Sequence, residues 1–473
     1  MTIRNVHIET WGCQMNVADS ERMLALLAKQ SFQSVSSPAE ADLIILNTCN
    51  IREKARHKVL TRLGELRVLK DTNPGLILAL AGCVAQTEAK SLKNELPFLD
   101  LIFGPDHIES LPQLLSKVME DADPSLANFG PQGPLVETAF QDSPQYSIPM
   151  DAAEPWLDSE KHEASRFVNI IKGCDNYCTY CVVPYTRGQE KSRATEEILQ
   201  ETRFLVEKGV KEIVLLGQNV NSYGLDWSKD RILETLEHTP FLDLLYRVSE
   251  VKGVERLRFV TSNPHDFPQK LPQAFAEIPA LCDQLHLPIQ AGSNSILKAM
   301  HRRYTREQYM EKVAAIRAVR PEMALSTDII VGFPGETESD FQQTIAVIRE
   351  IEYAAIFAFK YSPRPLTPAA KFKNQIPEPE KDRRLKLILD LQREITDKQN
   401  RAEIGKTRNV MLVYRNRKET QSWYGRTFQG RLVKVLNVNA TGYSGLTVPV
   451  LISDANATAL VGTVAESVSA SQT

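Results

Sequence analysis

The feature that most restricts the fold is a recurring unit: a short, almost unbroken apolar run, then a Gly or small polar residue, then a helical stretch. "VHIETW", "ADLIILNT", "GLILALAG" and "LDLIFG" are four such runs within the first 104 residues. Runs this short and apolar fit strands covered on both faces. Alternating with helices, they fit a doubly wound, mostly parallel α/β sheet. Helices are expected from about Asp19, with Leu24, Leu26 and Leu27, then over residues 52–69, and again after Cys83. Such sheets bind ligands outside the carboxyl ends of their strands. Three cysteines fall there: Cys13 in "TWGCQMN", Cys49 in "LNTCNIR" and Cys83 in "LAGCVAQ". Any one of them fits core packing, since Cys is often buried. Three at the same structural position point to one shared site, read as a 4Fe–4S cluster on three thiolates with one iron open.

A second alternation follows. "RFVNIIKG", "EIVLLGQN", "RLRFVTS", "QLHLPIQ", "ALSTDIIVGF" and "AAIFAFKYS" read as six strands, with helical stretches such as 195–208 and 340–351 between them. Six βα units predict a partial barrel, whose chemistry sits in the loops after the strands. Those loops hold the unusual residues: "GQNVNSYG", "SNPHD", "QAGSNS", "GFPGET" and "YSPRPLTPAA". The loop after the first strand carries Cys174, Cys178 and Cys181, spaced C-x3-C-x2-C. A structural zinc site takes four ligands, and no fourth Cys is near. A disulfide would leave one thiol over. A 4Fe–4S cluster on three thiolates keeps one iron for an exogenous ligand, and is the reading preferred over zinc or inert thiols. Cys282 has no partner and is assigned to packing.

Composition adds bounds. The chain is 42% hydrophobic and 24% charged with a net charge of -3, the profile of an ordinary globular protein. No apolar run reaches the roughly 18 residues of a membrane span, and the N-terminus shows no signal or transit character. No membrane partner and a cytoplasmic location are expected. Residues 121–163 hold six prolines and nine acidic residues against one Lys, and read as a linker or extended wrap. Residues 401–434 hold nine Lys or Arg, two Glu, and Tyr414, Trp423, Tyr424 and Phe428 interleaved. Short strand-like runs there predict a small antiparallel β-barrel, with basic groups for phosphate and aromatics for bases; a solvated charged face is the plainer reading. A helix at about 380–401 should connect barrel and cap. The expected division is 1–120, linker 121–163, barrel 164–400, cap 401–463 and tail 464–473.

The cysteine loop, with Tyr180 before its last Cys, resembles the radical S-adenosylmethionine (SAM) superfamily. "GCQMN", "NTCNIREKA", "GCVAQ", "CTYCVVPYTRGQEKSR", "GQNVNSYG" and "SNPH" are similar to its methylthiotransferases over nearly the full length. "QMN" and "VVPYTRG" are similar to the branch that makes 2-methylthio-N6-dimethylallyladenosine beside the tRNA anticodon. Sister branches act on threonylcarbamoyladenosine in tRNA or on an aspartate of a ribosomal protein. The resemblance implies two 4Fe–4S clusters, on Cys174, Cys178 and Cys181 and on Cys13, Cys49 and Cys83. It also implies SAM as radical source and methyl donor, and a C-terminal RNA-binding TRAM barrel. A radical formed at the first cluster would remove hydrogen from C2 of adenine, where polar substitution is very difficult, and sulfur would come from the second.

Tyr180 is then expected against the SAM adenine, with Gln218, Ser262, Gln290 and Arg302 as further SAM contacts. Arg187 and Arg193 read either as contacts to phosphate or the SAM carboxylate, or as ion pairs with Glu190 or a neighbour. The implied partners are the tRNA anticodon stem-loop, an electron donor such as flavodoxin or ferredoxin, and a sulfur donor, with the protein a monomer. Leu366 departs from the family pattern, which usually has Gly there. A reading of another class is an RNA-binding iron–sulfur sensor without catalysis; the loops at the barrel rim argue against it.

Overall fold

A computed structural model describes residues 4–49, 55–121, 133–141, 164–227, 239–416, 419, 421–438 and 444–465. The chain divides into two compact units. The first comprises Met1–Asp158, Lys172–Asp175 and Val182–Glu190; the second comprises Ser159–Ile171, Asn176–Cys181 and Lys191–Thr473.

The first unit is built on six parallel strands, β1 (Arg4–Trp11), β2 (Phe32–Ser34), β3 (Leu43–Thr48), β4 (Ile77–Gly82), β5 (Leu101–Phe103) and β6 (Leu135–Glu137). Their order is β2-β1-β3-β4-β5-β6. Helices α1 (Gln14–Ala28), α2 (Ala55–Thr72), α3 (Cys83–Glu95) and α4 (Leu111–Asp121) cover the faces. The period of two along β3 explains the layering: Leu43 and Ile45 pack with Met23, Leu27, Leu111 and Leu115, while Ile44 and Leu46 pack with Val59, Leu63, Val84 and Leu92. So α1 and α4 lie on one face, α2 and α3 on the other. Chain order reverses between β1 and β3, the crevice where such sheets bind ligands.

Two expectations need correction here. Helix α1 begins at Gln14, immediately after Cys13, and not near Asp19. Cys13 therefore caps the helix. The acidic, Pro-rich segment is not a plain linker throughout, because Leu135–Glu137 pairs in parallel with β5. Leu135 packs on one core and Val136 on the other, which fixes this edge despite its brevity. Residues 122–132 and 142–163 of that segment lie outside the described residues, as does 466–473 of the tail.

The second unit holds the six expected barrel strands, Ser165–Asn169, Glu212–Leu216, Arg256–Phe259, Gln284–His286, Ala324–Val331 and Ala355–Lys360. They form two parallel three-stranded sheets, joined through a parallel bridge from Leu257 to Leu281, just before the fourth strand. A 24-residue helix, Glu378–Arg401, leads to the C-terminal closed barrel. That barrel is not antiparallel throughout: Leu432–Leu436 pairs in parallel with Leu460–Val464. Its ring has five strands, and an odd ring cannot alternate direction at every step.

Candidate cluster sites and barrel rim

The first triad is assembled by topology. Cys13 follows β1, Cys49 follows β3 and Cys83 opens α3 after β4. These strands are neighbours in the sheet, so their carboxyl ends bring the thiols together. The Cys49 thiol lies within hydrogen-bonding reach of those of both Cys13 and Cys83. It is held firmly protonated, because its proton is shared with the two flanking sulfurs. Cys13 and Cys83 move the other way, each lowered to about 6 by that hydrogen bond and by the charge of Arg187, against the cost of burial.

A buried polar network supports the triad. The backbone N–H of Cys13 donates to Asn16 Oδ1 (3.3 Å), and the Asn16 amide donates to Asn47 Oδ1 and to the Thr48 carbonyl, both at 3.2 Å. Asn47 Nδ2 donates back to the Asn16 carbonyl (2.9 Å) and to Ser20 Oγ (2.9 Å). Gly82 has φ of 91°, and a Cβ there would collide with the Thr48 carbonyl, so only glycine lets β4 turn into α3 at this point. Arg187 pairs with Asp19 at 2.7 Å, both side chains buried. Its Nη2 has no hydrogen-bond partner although buried.

The site therefore offers three thiols linked through Cys49, two of them easily ionised, and a fixed buried cation. That donor set fits an iron–sulfur cluster, a polyanion bound through sulfur. Among the described residues no three His, Cys, Asp or Glu side chains are grouped to hold a single metal ion. A cube gives each thiolate its own iron, so no common centre is required.

The second triad lies within eight residues of the sequence. The Cys174 N–H donates to the Gly188 carbonyl (3.1 Å). Cys178 and Cys181 share a turn, with the Cys181 N–H donating to the Cys178 carbonyl (3.0 Å). Arg302 Nη1 donates to Cys178 Sγ (3.3 Å), while its Nε donates to the Tyr304 hydroxyl (3.0 Å) and its Nη2 to the Pro288 carbonyl (3.3 Å). Tyr180 is held well above the ordinary phenol range by burial, partly offset by the Arg302 charge. The loop bearing Leu366 meets this turn: the Ala369 N–H donates to the Thr179 carbonyl (2.9 Å). Leu366 itself is exposed.

Unpaired polar atoms collect at the barrel's carboxyl ends. Asn169 Oδ1, Asn219 Oδ1, Asn221 Oδ1 and Ser262 Oγ are buried without hydrogen-bond partners. Asn169 ends the first strand, and the others follow the second and third. Buried acceptors left open in this way fit a polar ligand. Thr261 and Gln290 sit at the same rim with φ of 69° and 72°, a strained backbone for residues other than glycine. Of the expected SAM contacts, Ser262 and Gln290 are buried and Gln218 is half-buried at the rim, while Arg302 meets a cysteine.

Arg187 and Arg193 are both in buried ion pairs, with Asp19 and with Glu201 (2.6 Å). Cys282 is fully buried, as expected of packing. Sequence reading missed Asn16, Asp19 and Asn47; the available signal was a polar Asn-Thr pair ending an otherwise apolar buried strand.

The C-terminal barrel also needs correction. Trp423 is core, not an exposed base platform. Phe428 lies under Arg256 (5.6 Å). Tyr414 and Tyr424 do stack, centroids 5.2 Å apart, and Tyr414 is exposed. Much of the basic run is already paired: Arg401 with Asp397, Lys406 and Arg408 with Glu403, Arg408 also with Glu322, and Lys434 with Glu419. Arg417 and Lys418 lie outside the described residues.

Residues 5–104 match the Uncharacterized protein family UPF0004, and residues 168–348 match the Radical SAM superfamily. A tRNA-2-methylthio-N(6)-dimethylallyladenosine synthase of Bdellovibrio bacteriovorus is 44% identical over 96% of this chain and 93% of its own. One of Geotalea uraniireducens is 43% identical over 91% and 92%. A radical S-adenosylmethionine methyltransferase, TsrM, from Kitasatospora setae shares the fold at 13% identity, with TM-score 0.54 over 78% of this chain and 75% of that one. No helix among the described residues is long and apolar enough to cross a membrane.

Proposed function

The chain belongs to the tRNA-2-methylthio-N(6)-dimethylallyladenosine synthases, a radical SAM methylthiotransferase family, and from that premise we propose that it adds sulfur and a methyl group at C2 of N6-dimethylallyladenosine in tRNA. The meeting of Cys13, Cys49 and Cys83, far apart in sequence and linked through Cys49 in the fold, carries this reading. It supplies a second thiol triad beside the one the superfamily needs. In our reading residues 1–120, 164–400 and 401–463 are the sulfur-holding, radical-forming and RNA-binding parts.

Cys174, Cys178 and Cys181 would hold one 4Fe–4S cluster, and Cys13, Cys49 and Cys83 a second. When bound, the first cluster with SAM supplies one-electron chemistry able to activate an aromatic C–H bond, and the second holds the sulfur to be inserted. The chain's own groups provide position and charge. Arg302 anchors the Cys178 sulfur and adds a fixed positive charge beside it. Asn169, Asn219, Asn221 and Ser262 offer the open acceptors and hydroxyl that SAM's ammonium and ribose hydroxyls require. Tyr180, Gln218 and Gln290 line the same rim in this assignment. Arg187 balances the negative charge of the Cys13 triad. The sulfur source and a flavodoxin- or ferredoxin-type reductant act from outside, on a monomer.

The test is a single-turnover assay with anaerobically reconstituted protein, SAM, a reductant and an anticodon stem-loop bearing dimethylallyladenine. Mass spectrometry should find the methylthio base. Parallel arms with a threonylcarbamoyl stem-loop and a ribosomal-protein peptide should give nothing. Product only in one of those arms would move the chain to a sister branch, and 5′-deoxyadenosine without any RNA product would reject the substrate assignment.

A further inference from the structure

The inner wall of the barrel carries a feature that the two cysteine sites do not use. On the fifth strand, Leu325, Thr327, Ile329 and Val331 are buried, whereas Ser326, Asp328 and Ile330 alternate with them and are half-buried. The Thr327 hydroxyl meets Tyr309 and Tyr353, so the buried set faces the helices. The alternate set therefore faces the lumen. Register pairs Asp328 with Phe357 and Ile330 with Phe359 on the sixth strand. Paired residues of a parallel ladder share a face, which puts both phenylalanines on the lumen side. The His286 ring, on the fourth strand, meets Phe357 edge-on at 5.8 Å, and its Nε2 lies 3.3 Å from Asp328 Oδ1.

Phe357 is 52% exposed and Phe359 45% exposed. Two large aromatic side chains on the inward face of an incomplete barrel are left uncovered by the protein's own core. They stand in the last four residues of the strand, toward the carboxyl end where the unpaired Asn and Ser groups gather.

We propose that Phe357 and Phe359, with Ile330 beside them, are the apolar seat for the dimethylallyl arm of the substrate adenine and select the prenylated base over other N6 substituents. This deepens the reading above and rests on it. The occupant follows from chemistry: a five-carbon branched alkene gains by leaving water for two phenyl faces. A threonylcarbamoyl arm carries a carboxylate, which gains nothing from phenyl faces and is repelled by Asp328. The bare adenine has no group to reach the wall.

The experiment compares binding of three anticodon stem-loops, unmodified, dimethylallylated and threonylcarbamoylated, to wild-type protein and to Phe357→Ser, Phe359→Ser and Phe357→Leu. Wild type should favour the dimethylallylated RNA. The Ser variants should lose roughly tenfold or more of that preference, the scale at which a hydrophobic pocket reads a few carbons. Their affinity for unmodified RNA should hold, and Phe357→Leu should keep most of the preference. Circular dichroism confirms that each variant is folded. An unaltered preference ratio in the folded Ser variants would overturn the seat while leaving the substrate assignment intact. Variants that weaken SAM binding and spare the ratio would assign the pair to the cofactor instead and overturn it too. A wild type with no preference for the prenylated RNA would overturn both this seat and the substrate on which it rests.

Discussion

The two cysteine triads reach the same end by opposite routes. Cys174, Cys178 and Cys181 lie within eight residues of one loop, so local sequence alone keeps them together. Cys13, Cys49 and Cys83 span 71 residues, and three neighbouring parallel strands keep them together. An arginine meets a thiol in each triad, differently supported. Arg302 reaches Cys178 with carbonyl and phenol partners around it. Arg187 reaches Cys83 while tied to a buried carboxylate, Asp19. A loop triad can lose a ligand and leave the fold intact; a sheet-edge triad is coupled to the packing beneath it. The difference predicts that damage near the Cys13 triad shows in folding as well as in chemistry.

The largest effect separates the two roles. Cys178→Ala should abolish reductive cleavage of SAM. Cys49→Ala should keep cleavage but yield no methylthiolated RNA. Each should lower the iron content from about eight to about four per chain, one cube removed. Should Cys49→Ala stop cleavage while four irons remain on the loop triad, the two sites would not be divided as proposed.

Next in size is the comparison of arginines. Arg187→Met strands the Asp19 carboxylate in a buried setting, at a cost of about 3–5 kcal/mol. Arg302→Met removes one hydrogen bond to sulfur and two to neutral oxygens, with no charge left behind, and should cost less, about 1.5–3 kcal/mol. Urea unfolding of cluster-free protein reads both. The double variant Arg187→Met with Asp19→Leu should recover part of the loss, because no lone charge then remains. Equal losses at the two arginines would erase the distinction between loop and sheet edge.

How much of this was legible in the sequence follows the same division. The loop triad could be read from spacing, and the six barrel strands from their apolar runs. The sheet-edge triad could be read only after placing three strands in parallel, which the apolar runs "LIILNT" and "LILALAG" permitted. Its supports could not. Asn47 looks like a strand-ending polar residue until Asn16 is seen to satisfy its side chain across the β1–β3 crevice. The start of α1 was hidden because Cys is not a usual N-cap. The strand Leu135–Glu137 is too short to show a period, and its stability comes from two cores built elsewhere. The basic run at the C-terminus misled for a related reason: Asp397 and Glu322, which pair with Arg401 and Arg408, lie outside it.

A smaller effect concerns pH. In cluster-free protein the Cys13 and Cys83 thiols ionise at about 6, below the ordinary thiol value of 9.0. A depressed folded value adds stability that is fully present above the ordinary value and is lost as pH falls through about 6. Cys49 has the opposite sign: its raised value adds stability below 9.0 that is lost as pH rises further. Stability of the cluster-free sheet should therefore climb from about pH 6, crest near pH 9 and then decline. Ultraviolet thiolate absorbance should rise over the lower part of that range in wild type, and at higher pH in Arg187→Met. A stability curve flat from pH 6 to 9 would mean that the thiols do not share their protons.

The smallest effect is expected at the seventh cysteine, which controls for the comparison. Cys282 is fully buried, more deeply than the sheet-edge thiols, and its side chain meets Arg256 and, at 4.0 Å, the Ala280 carbonyl in place of other thiols. Burial pushes its thiol up to about 11, the reverse of Cys13 and Cys83, although Arg256 stands near it as Arg187 stands near them. Burial beside an arginine is therefore not enough to make a thiolate. What separates the triad is the neighbouring thiol that donates its proton. Cys282→Ala should leave iron content, SAM cleavage and RNA product unchanged and cost about 1 kcal/mol, the price of a small buried group. Iron content and urea unfolding check both parts. Loss of iron in a Cys282→Ala protein that unfolds normally would bring this residue into a cluster site and undo the assignment of three thiols to each.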